Sequence, residues 1–172
     1  LDAAIYTHDH ADHVNGIDDL RGFALLQKTR IPIYGDRFTI KSLQQRFGYI
    51  FAEAKNYPAI ATANTIDGPF SHGDIDIVPF PQIHGSMQSL GFRFGNMAYS
   101  TDLNDLPEAS FDLLQDLDVW IVDALRPQPH PTHTHLAQTL EWIERLRPKR
   151  AILTHMTWDM DYQTLCRELP PG

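Results

Sequence analysis

A short apolar run, Ala3-Ala4-Ile5-Tyr6, empties into Thr7-His8-Asp9-His10-Ala11-Asp12-His13, and this junction restricts the fold more than any other stretch of the chain. The apolar run reads as a buried strand, and the polar cluster as the loop that leaves it. In extended chain, residues two apart point the same way. His8 and His10 can therefore share one metal ion while Asp12 and His13 turn toward a second. A His-x-His-x-Asp-His spacing should arise by chance in about one comparable sequence in several hundred, which makes it a specific signal.

Composition supports a metal site. Nine histidines stand beside seventeen aspartates and only five glutamates, a surplus of the commonest metal ligand together with short carboxylates. The 172 residues suit one domain, and 42% hydrophobic with 21% charged residues excludes a disordered or collagenous chain. A formal net charge of −8 argues against an extended nucleic-acid partner, which would need clustered Lys and Arg. No apolar run approaches the roughly 18 residues of a membrane span, so no membrane partner is expected. Cys166 is the only cysteine, which excludes an intramolecular disulfide and points to a reducing, cytoplasmic setting. The chain opens on Leu1 rather than Met, so residues 1–172 are expected to be a single domain that is incomplete at its N-terminal side.

Periodicity predicts alternating strands and helices. Gly16 to Lys28 suits a helix with Ile17, Leu20, Phe23, Ala24 and Leu25 inward. Ile31 to Tyr34 is a strand, and Asp36 caps a helix through Phe47 with Phe38, Leu43 and Phe47 on its inner face. Gly48 to Phe70 reads as a long irregular excursion. Gly73 to Phe80 is an alternating strand; Leu90 to Phe94 and Met97 to Ser100 form a hairpin around Gly95-Asn96. A helix near Glu108 to Asp116, a strand at Val119 to Val122, a helix from Leu136 to Leu146, a strand at Ala151 to Leu153 and a helix near Asp161 to Leu169 complete an α/β class. Trp120 and Trp142 fall within apolar patterns and read as core.

Three further candidates stand where a predicted strand meets a loop: His84, Asp102 and His155. A lone histidine after a strand is commonly structural. Three such groups behind a four-residue motif are better explained by one shared site.

On these residues the sequence resembles the metallo-β-lactamase fold superfamily of binuclear metallohydrolases, over nearly the whole chain. The resemblance implies an αββα sandwich, here without the family's N-terminal strands. It implies that His8, His10 and His84 hold a first divalent ion, that Asp12, His13 and His155 hold a second, and that Asp102 bridges both; Asp12 thereby enters the catalytic set. Two such ions can share a bridging hydroxide and stabilise charge on the entering and leaving oxygens. Zinc is the expected metal and manganese its rival.

The stretch Arg126-Pro127-Gln128-Pro129-His130-Pro131-Thr132-His133-Thr134-His135-Leu136 resembles the phosphodiesterase branch, which includes the cyclic phosphodiesterase of the carbon-phosphorus lyase pathway. That resemblance places a general acid at His133, with His130 and His135 as local competitors. One departure is Trp158, where that enzyme has a histidine of an accessory structural zinc site. Class B1 and B2 β-lactamases use a cysteine ligand, and Cys166 is on a late helix instead. Ribonuclease Z enzymes carry a basic arm that has no counterpart here. Glyoxalase-type thioester hydrolases share all seven ligands and remain the enzymatic rival.

The expected function is thus a binuclear metal-dependent phosphodiesterase acting on a small anionic, cyclic or nucleotide-like phosphate ester. The alternatives are a thioester hydrolase and a metal- or ligand-binding domain without turnover. Arg126, Ser86 and His135 are the expected substrate contacts, although Arg126 could equally pair with Asp123. Asp123 could accept a hydrogen bond from a ligand imidazole, and His72 reads as a surface loop residue. The oligomeric state stays open, with a homodimer as the named option.

Overall fold

The computed structural model describes residues 1–54 and 57–169. Two compact units divide the chain after His72. Among the described residues, no helix is long and apolar enough to cross a membrane.

The first unit is built on a parallel sheet of β1 (Ala4–Ile5), β2 (Ile31–Gly35) and β3 (Ala61–Thr65), in that order. Between β1 and β2 run α1 (Ala11–Val14), a 3₁₀ turn (Asn15–Asp19) and α2 (Leu20–Gln27). Ile17, Leu20 and Ala24 pack into the core with Ile31, Ile33 and Leu43. Phe23 and Leu25, expected inward, are 46% and 57% exposed. The 3₁₀ turn advances by three residues rather than 3.6, so the phase read from a continuous α-helix does not carry through it.

Asp36 caps α3 (Arg37–Arg46) as its sequence position predicts, its Oδ1 accepting from the Thr39 N–H at 2.7 Å. Ile40 and Leu43 form the inner face, and Phe38 is 67% exposed. At about 100° per residue, a five-residue offset turns Phe38 about 140° away from Leu43. The stretch read as an irregular excursion contains α4 (Gly48–Phe51) and β3, followed by β4 (Phe70–His72); Lys55 and Asn56 lie outside the described residues. Ala61-Thr62-Ala63-Asn64-Thr65 carries no apolar alternation, and its strand state comes from pairing with β2 along all five residues.

In the second unit the strands β5 (Ile75–His84), β6 (Met87–Phe94), β7 (Met97–Ser100), β8 (Val119–Asp123) and β9 (Arg150–Thr154) lie side by side in chain order. The first three are antiparallel, and β7, β8 and β9 are parallel. β5 does not stop at Phe80. Pro79 and Pro81, two residues apart, remove donors from one edge of the strand only, and pairing with β6 continues to His84 opposite Met87. The hairpin closes through Gly95 at φ +57°. Where β6 crosses Phe80, a Cβ on Gly91 would lie 2.2 Å from that ring, so only glycine fits.

The remaining elements are α5 (Glu108–Leu113), α6 (Leu136–Leu146), which links β8 to β9, and α7 (Tyr162–Glu168). Trp120 is fully buried among Phe80, Leu103, Leu114 and Val122, and Trp142 on α6 joins the same core. The Trp120 indole N–H donates to Ser100 Oγ at 3.0 Å, so its polar atom is satisfied inside that core. Because β6 reverses direction and β7, β8 and β9 are parallel, β5, β7, β8 and β9 all end at one edge of the sheet. In open α/β sheets such an edge is where ligands bind.

Candidate metal centre

In the first unit the motif straddles a change of structure. His8 lies three residues past β1, and α1 opens immediately after His10, whose carbonyl accepts from the N–H groups of His13 and Val14 at 3.1 and 3.2 Å. That turn brings His13 back toward His8. The His8 ring lies 4.5 Å, centroid to centroid, from both His10 and His13, and Asp12 Oδ2 stands 3.3 Å from His13 Nε2. Thr7 Oγ1 lies 3.0 Å from His8 Nδ1. Arg46, on α3, donates to the Asp9 carbonyl at 2.6 Å and to Asn15 Oδ1 at 3.1 Å, which staples the motif loop to the helix. Sequence reasoning did not single out Arg46, because nothing local to the motif announces a partner 37 residues away.

In the second unit the strand ends deliver His84, Asp102, Asp123 and His155, and the loop after β8 adds His133. Asp102 is 1% exposed and presents its two carboxylate oxygens in different directions. Oδ2 faces His84 Nε2 at 3.7 Å and His133 Nε2 at 3.8 Å, while Oδ1 faces His155 Nε2 at 3.3 Å. Two donors bound tetrahedrally to one zinc ion at about 2.0–2.2 Å stand about 3.3–3.6 Å from each other. The His155 separation from Asp102 falls on that edge and those of His84 and His133, at 3.7 and 3.8 Å, lie just beyond it, so the donor chemistry and spacing fit divalent metal. Asp102, Asp123, His133 and His155 each bring one ligand-type atom within 4.8 Å of the others.

Asp102 and His155 also share a backbone anomaly, with φ of +55° and +58°. Left-handed backbone at a non-glycine residue costs on the order of 1 kcal/mol or more and clusters at functional sites. His155 directly follows β9 and Asp102 stands two residues past β7, so the left-handed turn sets where each side chain leaves the sheet.

Hydrogen bonds fix the imidazoles. His84 Nδ1–H donates to the Thr132 carbonyl at 2.6 Å, which leaves Nε2 as the atom directed at Asp102. His133 Nδ1–H donates to Asp123 Oδ2 at 2.8 Å. Asp123 was expected to support a ligand imidazole; it supports the expected acid. The Asp123 backbone carbonyl accepts from Thr134 Oγ1 and Thr139 Oγ1, both at 2.7 Å, which holds strand end, loop and α6 together. The half-buried Tyr99 phenol is pushed above its ordinary pKa by burial, with Asp102 and Asp123 acting in the same direction. The His130 imidazole is pushed below its usual range by burial first, then by His133 and Arg126.

Arg126 does not pair with Asp123: its guanidinium donates to the carbonyls of Gln128 at 3.2 Å and Pro129 at 2.7 Å, and Asp123 is engaged by His133. Ser86 is exposed in the turn between β5 and β6, and His135 occupies the N-cap position of α6. His72 lies in β4 rather than in a loop, with Nδ1 3.2 Å from Tyr34 Oη. Trp158 is 95% exposed. Thr132 and Thr134 went unremarked in the sequence, because a backbone carbonyl or a hydroxyl acting as a splint leaves no motif.

The family described as Beta-lactamase superfamily domain matches residues 1–156. A curated octanoyltransferase of Porphyromonas gingivalis (strain ATCC BAA-308 / W83) is 28% identical over 162 residues, covering 91% of this chain and 32% of that protein. Among solved structures, a new diphosphatase from the PhnP family is 35% identical with a TM-score of 0.92, covering 100% of this chain and 66% of its own. The metallo-beta-lactamase fold protein YhfI from Bacillus subtilis is 19% identical with a TM-score of 0.79, covering 98% and 69%, and shows likeness of fold alone. The chain thus spans about a third of the length of the curated relative and about two thirds of that of the diphosphatase. With most of its length matched, the chain belongs to the beta-lactamase superfamily and has the metallo-β-lactamase fold.

Proposed function

We propose that the protein is a binuclear metal-dependent hydrolase of small phosphodiesters. The observation that supports this reading is the division of Asp102 between His155 on one oxygen and His84 on the other, an arrangement that would let one carboxylate serve two ions. In this reading His8, His10 and His84 would hold one ion and Asp12, His13 and His155 the other, as the resemblance of the motif implies. A bound pair of zinc or manganese ions supplies an activated water and neutralises charge on the phosphoryl oxygens.

The chain's own residues supply the rest. Asp123 accepts a hydrogen bond from the His133 Nδ1–H and so orients the ring; in the imidazolium form the Nε2–H is the proton that can pass to the departing alkoxide, leaving the neutral Nδ1–H tautomer. The Thr132 carbonyl orients His84 in the same way. A diphosphate ester, cleaved at a phosphoanhydride rather than a phosphodiester linkage, is the neighbouring substrate class, and the 35% identical relative is described as a diphosphatase. An acyl substrate is the second reading, favoured by the octanoyltransferase relative and by the ligand set that thioester hydrolases share.

Protein loaded with zinc or manganese is expected to cleave bis-p-nitrophenyl phosphate or a 2′,3′-cyclic nucleotide. Selective cleavage of thioesters would replace the phosphodiester reading with the acyl one. Binding of two ions without turnover of either class would leave a non-catalytic domain.

A further inference from the structure

The loop that carries His133 carries a second histidine in an unusually constrained setting. His130 lies between Pro129 and Pro131. Pro131 restricts the backbone of His130, the residue before it, and Pro129 fixes its own φ just ahead. The Arg126 guanidinium, fastened to the Gln128 and Pro129 carbonyls, splints the loop just ahead of it. Its Nε and one Nη group are thereby engaged within the loop.

The ring of His130 is oriented as well. The Thr132 N–H donates to His130 Nδ1 at 3.3 Å, and Thr132 Oγ1 lies 3.3 Å from the same nitrogen. A backbone N–H can only donate, so Nδ1 holds a lone pair and the neutral ring carries its proton on Nε2. His130 therefore offers an N–H donor from Nε2, which has no hydrogen-bond partner among the described residues. Its ring centroid lies 5.2 Å from that of His133, at 55° between planes. Thr132 also accepts from His84 through its carbonyl, so one residue sets both His130 and a proposed ligand. Gly85 makes room for this: a Cβ there would lie 2.6 Å from Thr132 Cγ2.

We propose that His130 forms a subsite for a second phosphoryl group, adjacent to the one that is cleaved, and so selects diphosphate esters over simple phosphodiesters. The inference rests on the phosphodiester reading above. His133 acts at the scissile leaving oxygen, and His130 donates to a non-bridging oxygen of the neighbouring phosphoryl group. No covalent step is assigned to His130.

The test compares kcat/KM for diadenosine 5′,5′-diphosphate and bis-p-nitrophenyl phosphate in wild type, His130→Ala and His130→Gln. Loss of a hydrogen bond to a charged oxygen should lower the ratio of the two by about 10- to 100-fold in His130→Ala, through KM rather than kcat. His130→Gln, which keeps an N–H donor, should recover part of the ratio. An unchanged ratio overturns the proposal. A second readout does not depend on turnover: inorganic pyrophosphate, and not orthophosphate, should shift the His130 ring resonances of the metal-loaded protein. If wild type cleaves neither ester, the phosphodiester reading fails, and this titration decides the subsite alone. Equal responses to both anions, or none, overturn it.

Discussion

Asp123, fully buried at the end of β8, accepts a 2.8 Å hydrogen bond from His133 Nδ1, and His133 Nε2 in turn faces Asp102 at 3.8 Å. The carboxylate thereby sets which ring nitrogen is presented to the proposed reaction. His133→Ala should lower turnover by about 10²- to 10⁴-fold for substrates with poor leaving groups, with a much smaller loss for p-nitrophenolate. Asp123→Asn should follow the same leaving-group pattern, because the amide can present the wrong hydrogen-bonding group to Nδ1. Steady-state kinetics across a leaving-group series, with metal content measured on the same samples, checks both. A uniform loss across leaving groups would remove His133 from the acid role.

Asp102 is the residue whose removal should cost the most metal. Asp102→Ala withdraws both oxygens that face His84, His133 and His155, so elemental analysis after gel filtration should show bound metal falling from two ions per chain to one or fewer. His155→Ala should reduce it by one. Treatment of wild type with a chelator should abolish hydrolysis, and readdition of zinc or manganese should restore it. Full metal retention in Asp102→Ala would refute the shared-carboxylate assignment.

Stability at low pH should depend on Asp161, which caps α7 by accepting from the Thr164 N–H at 2.7 Å. Hydrogen bonding to Thr164, its side chain first and its backbone second, holds the Asp161 carboxyl below the usual carboxylate range. The folded state therefore favours the ionised form. The stabilisation is complete above the ordinary aspartate pKa and is lost as pH falls through the lowered one. Asp161→Ala should melt below wild type near neutral pH, and the gap should narrow as pH drops below about 4. Thermal melts followed by circular dichroism at several pH values give the comparison.

The core of the second unit rests on Trp120. Trp120→Ala should destabilise by about 3–5 kcal/mol through lost burial and the cavity left behind. Trp120→Phe should cost less, although it leaves Ser100 Oγ without the indole donor it accepts from. Urea denaturation of both variants measures the difference.

Much of this molecule is legible without coordinates. The strand ahead of His8, the Asp36 cap, the Gly95-Asn96 hairpin and the α6 helix all follow from short-range rules, because capping, turn chemistry and apolar period act within a few residues. The same holds for the choice of His8, His10, Asp12 and His13 as metal-type residues, since their spacing is local. What the sequence could not determine depends on distant partners. β3 is a strand because β2 pairs with it, and Phe38 points outward because of where the inner face of α3 falls. Arg126 closes on its own loop, Asp123 turns to His133, and Thr132 holds His84. Each is a hydrogen bond or packing contact whose geometry exists only after strand ends have been aligned by the sheet, and backbone carbonyls carry no residue identity to read in advance. The sequence by itself named the chemistry; the tertiary structure decided which oxygen, which ring nitrogen and which loop present it.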